Sequence, residues 1–414
     1  MNKNNIIANQ SKNTFSHETL KIGILGSGLM GHGIAFVSAL HQNNVIMLDT
    51  SKRKAEEGLD NIKKILNMGV KSGFYDVQKS KKILSRILPT SSYRHLESCD
   101  LIIEAVFEDY NTKRQVTLEA EKRMKPEAIF ASNTSTLPIT ELAKNSKRPD
   151  KFLGLHFFSP VHRMELVEII KGNITSKETL SKACDFVKSI GKTPITVNDG
   201  KGFYTTRVFE RYTCEGMALL YEGVDPKRIE DLSKKAGYPI GPLAILDEIN
   251  ISLAAKIRET IRKDSKLVNE PWDLVMKVMI EKLKRTGRSS NGGFYDYPKN
   301  NKKNLWPELI NHFPISTNKL SDKDIMDRLY FSQVVETIRC LEENIVESIY
   351  EANIGSILGW GFPKKTGGVL EFVNKYGLED FFNQSKYLEK RYGKRFTPPE
   401  YLKEMIKNKK LFKD

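Results

Sequence analysis

Lys21-Ile22-Gly23-Ile24-Leu25-Gly26-Ser27-Gly28-Leu29-Met30-Gly31 decides how the first half of this chain folds. A short apolar run leads straight into G-x-G-x-x-G, and residues 29–40 then read as the helix that follows. In a strand, turn and helix of this kind each glycine has its own task. Gly26 lets the chain turn with φ above zero, Gly28 lets the backbone approach a pyrophosphate, and Gly31 allows the helix to pack closely. The N–H groups at the helix start then face the anion. Asp49 ends the next apolar run, Val45-Ile46-Met47-Leu48, at the distance expected of the acid that binds an adenosine ribose. A carboxylate there repels a 2′-phosphate, which favours NAD over NADP. The motif by itself serves NAD and FAD alike.

Outward from this unit the alternation continues. Leu101-Ile102-Ile103 is a third apolar run, and residues 51–66 and 112–124 carry apolar positions at helical spacing with charges opposite. Further strands are expected at 128–132, 152–157, 166–170 and 193–197. Short strands alternating with longer helices predict a parallel sheet. From about Gly202 the β-type runs nearly vanish and amphipathic helical patterns continue to the end. Residues 286–313, with Gly, Asn, Pro and Ser, read as a linker or extended connection. A weak internal repeat relates the two sides of it. Residues 207–221 lead to Gly237-Tyr238-Pro239-Ile240-Gly241-Pro242, and residues 328–341 lead to Gly359-Trp360-Gly361-Phe362-Pro363. The expected division is a polar leader over 1–19, a nucleotide-binding α/β domain over 20–201, a helical domain over 202–297, a linker over 298–322 and a second helical domain over 323–414.

The 414 residues are 39% hydrophobic and 28% charged, which allows several cores and excludes disorder as the default. A net charge of +15 suits nucleic acid, membrane phospholipid or a polyanionic small ligand such as a nucleotide or a CoA ester, and does not choose among them. Lys and Arg are interspersed with Asp and Glu, as in Lys227-Arg228-Ile229-Glu230-Asp231, and no aromatic-basic repeat occurs, so nucleic acid is not expected. Without a stretch of about eighteen apolar residues, no membrane span is expected either. The first twenty residues lack an apolar signal region, and a soluble, cytoplasmic protein is the expectation. Cys99, Cys184, Cys214 and Cys340 lie far apart with no CxxC spacing, which argues for reduced thiols and against a metal site.

Histidine is the usual base for taking a proton from an alcohol as hydride leaves its carbon. His156 lies in the strand-like run Leu153-Gly154-Leu155-His156-Phe157-Phe158, and Leu166-Val167-Glu168-Ile169-Ile170 follows after a turn. If these runs pair as a hairpin centred near His162, His156 and Glu168 face each other, and the carboxylate fixes the imidazole tautomer. An ordinary buried histidine satisfied by a glutamate would show the same spacing. Asn133-Thr134-Ser135 follows another strand-like run, which places small polar groups where open α/β sheets gather their ligands. A simple Asx or Ser/Thr turn reads identically.

Assembled, these residues resemble the 3-hydroxyacyl-CoA dehydrogenase family, most of all the dehydrogenase portion of multifunctional fatty-oxidation proteins. The likeness runs from about Lys21 to about Gly377. Its most specific stretches are Ile103-Glu104-Ala105-Val106-Phe107-Glu108, Ala131-Ser132-Asn133-Thr134-Ser135 and Leu155-His156-Phe157-Phe158-Ser159-Pro160-Val161-His162-Arg163-Met164. The resemblance implies a Rossmann-type α/β domain followed by two related all-α domains, with NAD as cofactor and an L-3-hydroxyacyl-CoA of fatty acid β-oxidation as substrate. It implies His156 as base, Glu168 as its orienting partner and Ser135 as a donor near the reacting oxygen. It also implies Glu104 and Lys113 at the nicotinamide side and Lys71 at the CoA phosphates. A thiolase or hydratase partner and a monomer or homodimer fit the same family. A hydratase domain like the one that precedes this portion in multifunctional proteins is not expected, because the residues before Lys21 leave no room for it.

Two stretches depart from the family pattern. Phe203-Tyr204-Thr205-Thr206-Arg207 puts Thr206 where the family has an active-site asparagine, and threonine lacks the amide's reach and second donor. Glu248-Ile249-Asn250-Ile251-Ser252 replaces a glycine-and-aspartate pattern. Two other functions therefore stand beside the first. One is a dehydrogenase of a hydroxy acid without CoA; the other is a non-catalytic subunit that binds NAD or CoA.

Overall fold

The computed structural model describes residues 19–262, 270–290, 292–298 and 302–414. Eight strands form one sheet: β1 (Lys21–Leu25), β2 (Asn44–Leu48), β3 (Ile87–Thr90), β4 (Leu101–Glu104), β5 (Ile129–Ser132), β6 (Phe152–Phe157), β7 (Leu166–Lys171) and β8 (Thr193–Asn198). Their order is β3-β2-β1-β4-β5-β6-β7-β8. The first six are parallel, β7 runs antiparallel to β6, and β8 runs parallel to β7. An order of 3-2-1-4-5-6 reverses direction between β1 and β4, and ligands of doubly wound sheets bind at that reversal.

Helices α1 (Leu29–Leu40), α2 (Lys52–Lys71), α3 (Val77–Ser85), α4 (Tyr110–Glu121), α5 (Ile139–Ala143) and α6 (Lys177–Ser189) accompany the sheet. Strand residues alternate between its faces. Val45 and Met47 join the core that includes α1, whereas Ile46 and Leu48 join a core that continues into the helical half of the molecule. Both faces are therefore dry, which is why the strands read as unbroken apolar runs rather than alternating ones. Edge strand β3 left no such run, because Pro89 and the exposed Leu88 interrupt its four residues.

Eleven further helices follow: α7 (Thr205–Tyr221), α8 (Pro226–Lys235), α9 (Pro242–Ile249), α10 (Ile251–Arg262), α11 (Pro271–Lys277), α12 (Leu309–His312), α13 (Asp322–Glu342), α14 (Ile349–Trp360), α15 (Val369–Tyr376), α16 (Leu378–Tyr392) and α17 (Glu400–Lys407). None of the described helices is long and apolar enough to cross a membrane. The stretch expected as a loose connection is partly core. Asp247 on α9 accepts hydrogen bonds from the Phe294 and Tyr295 amides, and Phe294 and Leu309 are fully buried.

The two helical halves are related by internal symmetry. Arg207 on α7 pairs with Glu336 and Glu343 across the interface, and Arg328 on α13 pairs with Glu215 and Glu222 in return. Each arginine and each glutamate is offset from its counterpart by the same 121 residues. The turns repeat the exchange, since Gly237 packs on the Pro363 ring and Gly361 on the Pro239 ring. Residue i touching j′ while i′ touches j is the signature of a two-fold interface, here made within one chain. The second half also docks on the sheet. Tyr204 Oη donates to Ala352 O at 2.9 Å, and Glu351 accepts from the Thr196 amide at 3.0 Å.

Glu336 makes this interface sensitive to acid. Burial alone would raise its pKa, but Arg211, Arg207 and Arg339 around it hold the carboxyl at about 2, below the ordinary 4.5. A depressed folded pKa contributes stability above about pH 4.5 that is lost as pH falls towards 2, on the order of 3 kcal/mol for a shift of this size. Urea titrations from pH 6 down to pH 3 are expected to show a shallower loss of stability in Glu336→Gln than in the wild type. Parallel curves would assign acid sensitivity elsewhere.

Candidate functional site

The loop after β1 is shaped by its glycines. Gly26 has φ +96°, and a side chain there would strike Ala105 O at 2.6 Å; one on Gly31 would meet Gly26 O at 1.8 Å. A Cβ on Gly28 would meet nothing within 4 Å. The fold thus fills the space beside two of the glycines and leaves open the space beside the third. Gly28 is also the N-cap of α1 and supplies no side-chain cap, so the first N–H groups of that helix remain available to an anion. Gly28→Ala is expected to fold and melt like the wild type yet bind NADH about tenfold more weakly, whereas Gly31→Ala cannot keep the loop. Thermal melts with and without NADH would separate the two, and unaltered NADH binding in Gly28→Ala would remove the open space from the cofactor site.

Asp49 follows β2 and is half-buried. Its Oδ2 accepts from Ser27 N at 2.8 Å and Ser27 Oγ at 2.7 Å, and Oδ1 accepts from Thr50 N at 2.7 Å. Burial pushes its pKa up, but these bonds outweigh it and hold the carboxyl below its ordinary value. Asp49 is therefore ionised at neutral pH, an acceptor of the kind that a ribose hydroxyl needs. An open cradle at a helix start, followed by an ionised acid one strand over, fits the pyrophosphate and ribose of a dinucleotide.

Across the reversal, β4 ends in Glu104. Lys113 of α4 is buried and donates to Glu104 Oε1 at 2.8 Å, with Glu108 Oε2 at 3.2 Å. Burial alone would lower the Lys113 pKa, yet the two carboxylates raise it above its ordinary value. Glu104 also accepts from the Val106 amide and, at 2.7 Å, from Ser132 Oγ. Glu108 gathers the next loop, taking bonds from the Ser135 and Thr136 amides and from Thr134 Oγ1. The Ser135 hydroxyl has no partner among the described residues and lies half-exposed.

The hairpin expected from sequence is present, with His156 directly opposite Glu168. His156 Nδ1 lies 2.9 Å from Glu168 Oε2, and both residues are buried. Glu168 is held from the other side by the first turn of α7. Its Oε1 accepts from the Tyr204 and Thr205 amides at 3.0 and 2.9 Å, and its Oε2 from Thr205 Oγ1 at 2.5 Å. An acceptor-only carboxylate at a helix start assigns the proton to Nδ1 and leaves Nε2 with its lone pair. The rings of Phe158 and Phe203 stand 4.5 and 6.2 Å from the imidazole.

The predicted residues converge unequally. The glycines, Asp49, Glu104, Lys113, Ser135 and His156 all belong to the carboxyl edge of the parallel strands, and Glu168 joins them through the hairpin. Thr206 sits half-buried on the turn that binds Glu168, but Thr205 makes the bond. Sequence reading passed over Thr205, although a threonine at a helix start after a strand is a capping signal. Lys71 closes α2, exposed and without a recorded partner among the described residues. No cluster of metal-ligating side chains occurs among the described residues, and the four cysteines are free thiols.

A loop open to a dinucleotide pyrophosphate and a histidine held by a carboxylate form the kind of site that a dinucleotide-dependent oxidoreductase uses. Residues 21–200 match the NAD binding domain of 3-hydroxyacyl-CoA dehydrogenase and residues 202–297 its C-terminal domain. The chain belongs to the 3-hydroxyacyl-CoA dehydrogenase family. Among curated proteins it is 35% identical to the fatty acid oxidation complex subunit alpha of Shewanella amazonensis, over 95% of this chain and 56% of that protein. The chain thus spans about half the length of the curated relatives it matches. Among solved structures, the (S)-3-hydroxybutyryl-CoA dehydrogenase of Ralstonia eutropha is 32% identical with a TM-score of 0.64, covering 68% of this chain and all of that one. The dehydrogenase part of multifunctional enzyme 1 from C. elegans is 27% identical with a TM-score of 0.69, over 94% of this chain and 90% of that one.

Proposed function

We propose that this chain catalyses the reversible oxidation of an L-3-hydroxyacyl-CoA to the 3-oxoacyl-CoA in fatty acid β-oxidation. The observation that carries the reading is the buried His156–Glu168 pair beside the dinucleotide cradle. When bound, NAD supplies the acceptor for the two electrons and the hydrogen that leave C3. His156 Nε2 takes the proton of the C3 hydroxyl, and the imidazolium so formed is stabilised by Glu168, which the Tyr204 and Thr205 amides hold in place. Ser135 donates a hydrogen bond to the same oxygen, which favours the developing carbonyl. Glu104 and Lys113 shape the nicotinamide end, the glycines and Asp49 the adenosine end, and Lys71 meets the CoA phosphates. Phe158 and Phe203 limit water around the imidazole.

The nucleotide-binding domain in this reading is 20–201, with helical domains at 202–297 and 323–414 around a connection at 298–322 and a leader over 1–19. The symmetric interface within the chain supports a monomer, since it provides internally what a homodimer would otherwise supply. The protein is placed in the cytoplasm, and a thiolase or hydratase is its natural partner, because those activities consume and supply its product and substrate.

The test is NADH consumption with short- and long-chain 3-oxoacyl-CoA, run beside Thr206→Asn. The Thr206 side chain, in the first turn of α7, makes no hydrogen bond among the described residues, so an amide there is expected to raise kcat. Turnover of free 3-oxo acids with none of the CoA esters would contradict the substrate assignment. NADH binding without turnover in either protein would make the chain a binding subunit.

A further inference from the structure

A cleft of about 950 Å³ opens between the helical halves, and none of its lining residues belongs to the sheet or to the loops that carry the site above. Its walls come from α7, α10, the start of α11, α13 and the end of α16, so it straddles the two-fold interface. Among the described residues, two donors there lack acceptors. Trp272 is 3% exposed, and its wholly buried indole N–H meets no hydrogen-bond partner. The buried Nε–H of Arg211 is in the same position, with Glu336 at 3.3 Å but outside hydrogen-bond geometry. Buried donors without acceptors are rare in folded proteins and call for a partner from elsewhere.

The charge around them indicates which partner. The carboxylates that line the cleft are already engaged, Glu210 with Arg258, Glu222 with Arg328, and Glu270 in the capping box of α11. Arg258 and Arg395 both lie over the Trp272 ring, 5.1 and 5.7 Å from its centre. Arg391 and Lys394 stand exposed at the rim and form no ion pair among the described residues. What remains is positive charge at the rim, where Arg391 meets only the Tyr387 hydroxyl and the Tyr387 and Tyr392 rings, and two N–H donors within the walls, a set that matches phosphate oxygens. The volume lies in the range of small-molecule sites. We propose that this cleft binds a phosphate-bearing ligand of nucleotide size, separate from the dinucleotide and the acyl-CoA, and that the ligand bridges the two helical halves.

The test is calorimetric titration of the full chain with inorganic pyrophosphate, with NADH present in saturating amount to occupy the glycine loop. The wild type is expected to show one saturable site. Arg391→Ala/Lys394→Ala removes two exposed charges, leaves the melting temperature unchanged, and is expected to weaken that site about tenfold or more. Trp272→Phe keeps an aromatic ring beside the arginines but removes the donor, and is expected to weaken the site as well. Absence of saturable binding by the wild type, or equal binding by the rim double variant, would overturn the proposal.

Discussion

Replacing His156 by alanine is expected to lower kcat/KM for 3-oxoacyl-CoA reduction by about 10²- to 10⁴-fold, the usual worth of a positioned acid or base, while NADH affinity stays as it was. The separation follows from geometry. The imidazole lies against Glu168, Phe158 and Phe203, whereas Gly26, Gly28, Gly31 and Asp49, the residues proposed to hold the cofactor, follow β1 and β2. Glu168→Gln is expected to lose a comparable amount. A glutamine offers a single acceptor oxygen where the carboxylate now serves the Tyr204 and Thr205 amides, the Thr205 hydroxyl and His156. Turning its NH₂ towards His156 would move the proton to Nε2 and leave no base. Steady-state kinetics with fluorescence titration of NADH measures both quantities. A histidine variant that keeps most of its activity would show the pair to be structural.

The second large effect is on stability. Arg328 is fully buried, bonded to Glu215 and Glu222, with its guanidinium 4.3 Å from the centre of the Tyr392 ring. Arg328→Leu leaves Glu215, 1% exposed, with Arg395 as its remaining partner. Breaking a buried pair from one side costs about 3–5 kcal/mol, because the other charge stays behind in low dielectric. Its symmetry mate Arg207 is 18% exposed, so Arg207→Leu is expected to cost less. Chemical denaturation of both variants measures the difference. Equal and small losses would mean that the reciprocal pairs do not hold the helical halves together.

The α/β half was legible because its signals are local. The β1 run, the glycines and α1 are contiguous, and a single centre at His162 sets the register that pairs His156 with Glu168. What escaped sequence reading depends on residues far apart in the chain. Thr205 looked like a neighbour of Thr206, and only the approach of α7 to β7 shows which threonine meets the carboxylate. Glu108 and Ser27 organise the two binding loops through side-chain bonds that no spacing rule encodes. The connection around Phe294 read as loose because its glycines hide how Asp247 draws it into the core. The helical repeat was visible in its turns, yet its strongest mark, arginines and glutamates exchanged at a constant offset, becomes meaningful only when α7 lies against α13.

Reduction of a 3-oxoacyl-CoA at His156 by this one chain, as proposed, is read from its products. Purified protein, NADH and 3-oxoacyl-CoA are incubated and the acyl-CoA pool is resolved by chiral chromatography with mass detection. One L-3-hydroxyacyl-CoA is expected per NADH consumed, and none with the His156→Ala variant. No hydroxyacyl-CoA from the wild type, or the same yield from the variant, would contradict it.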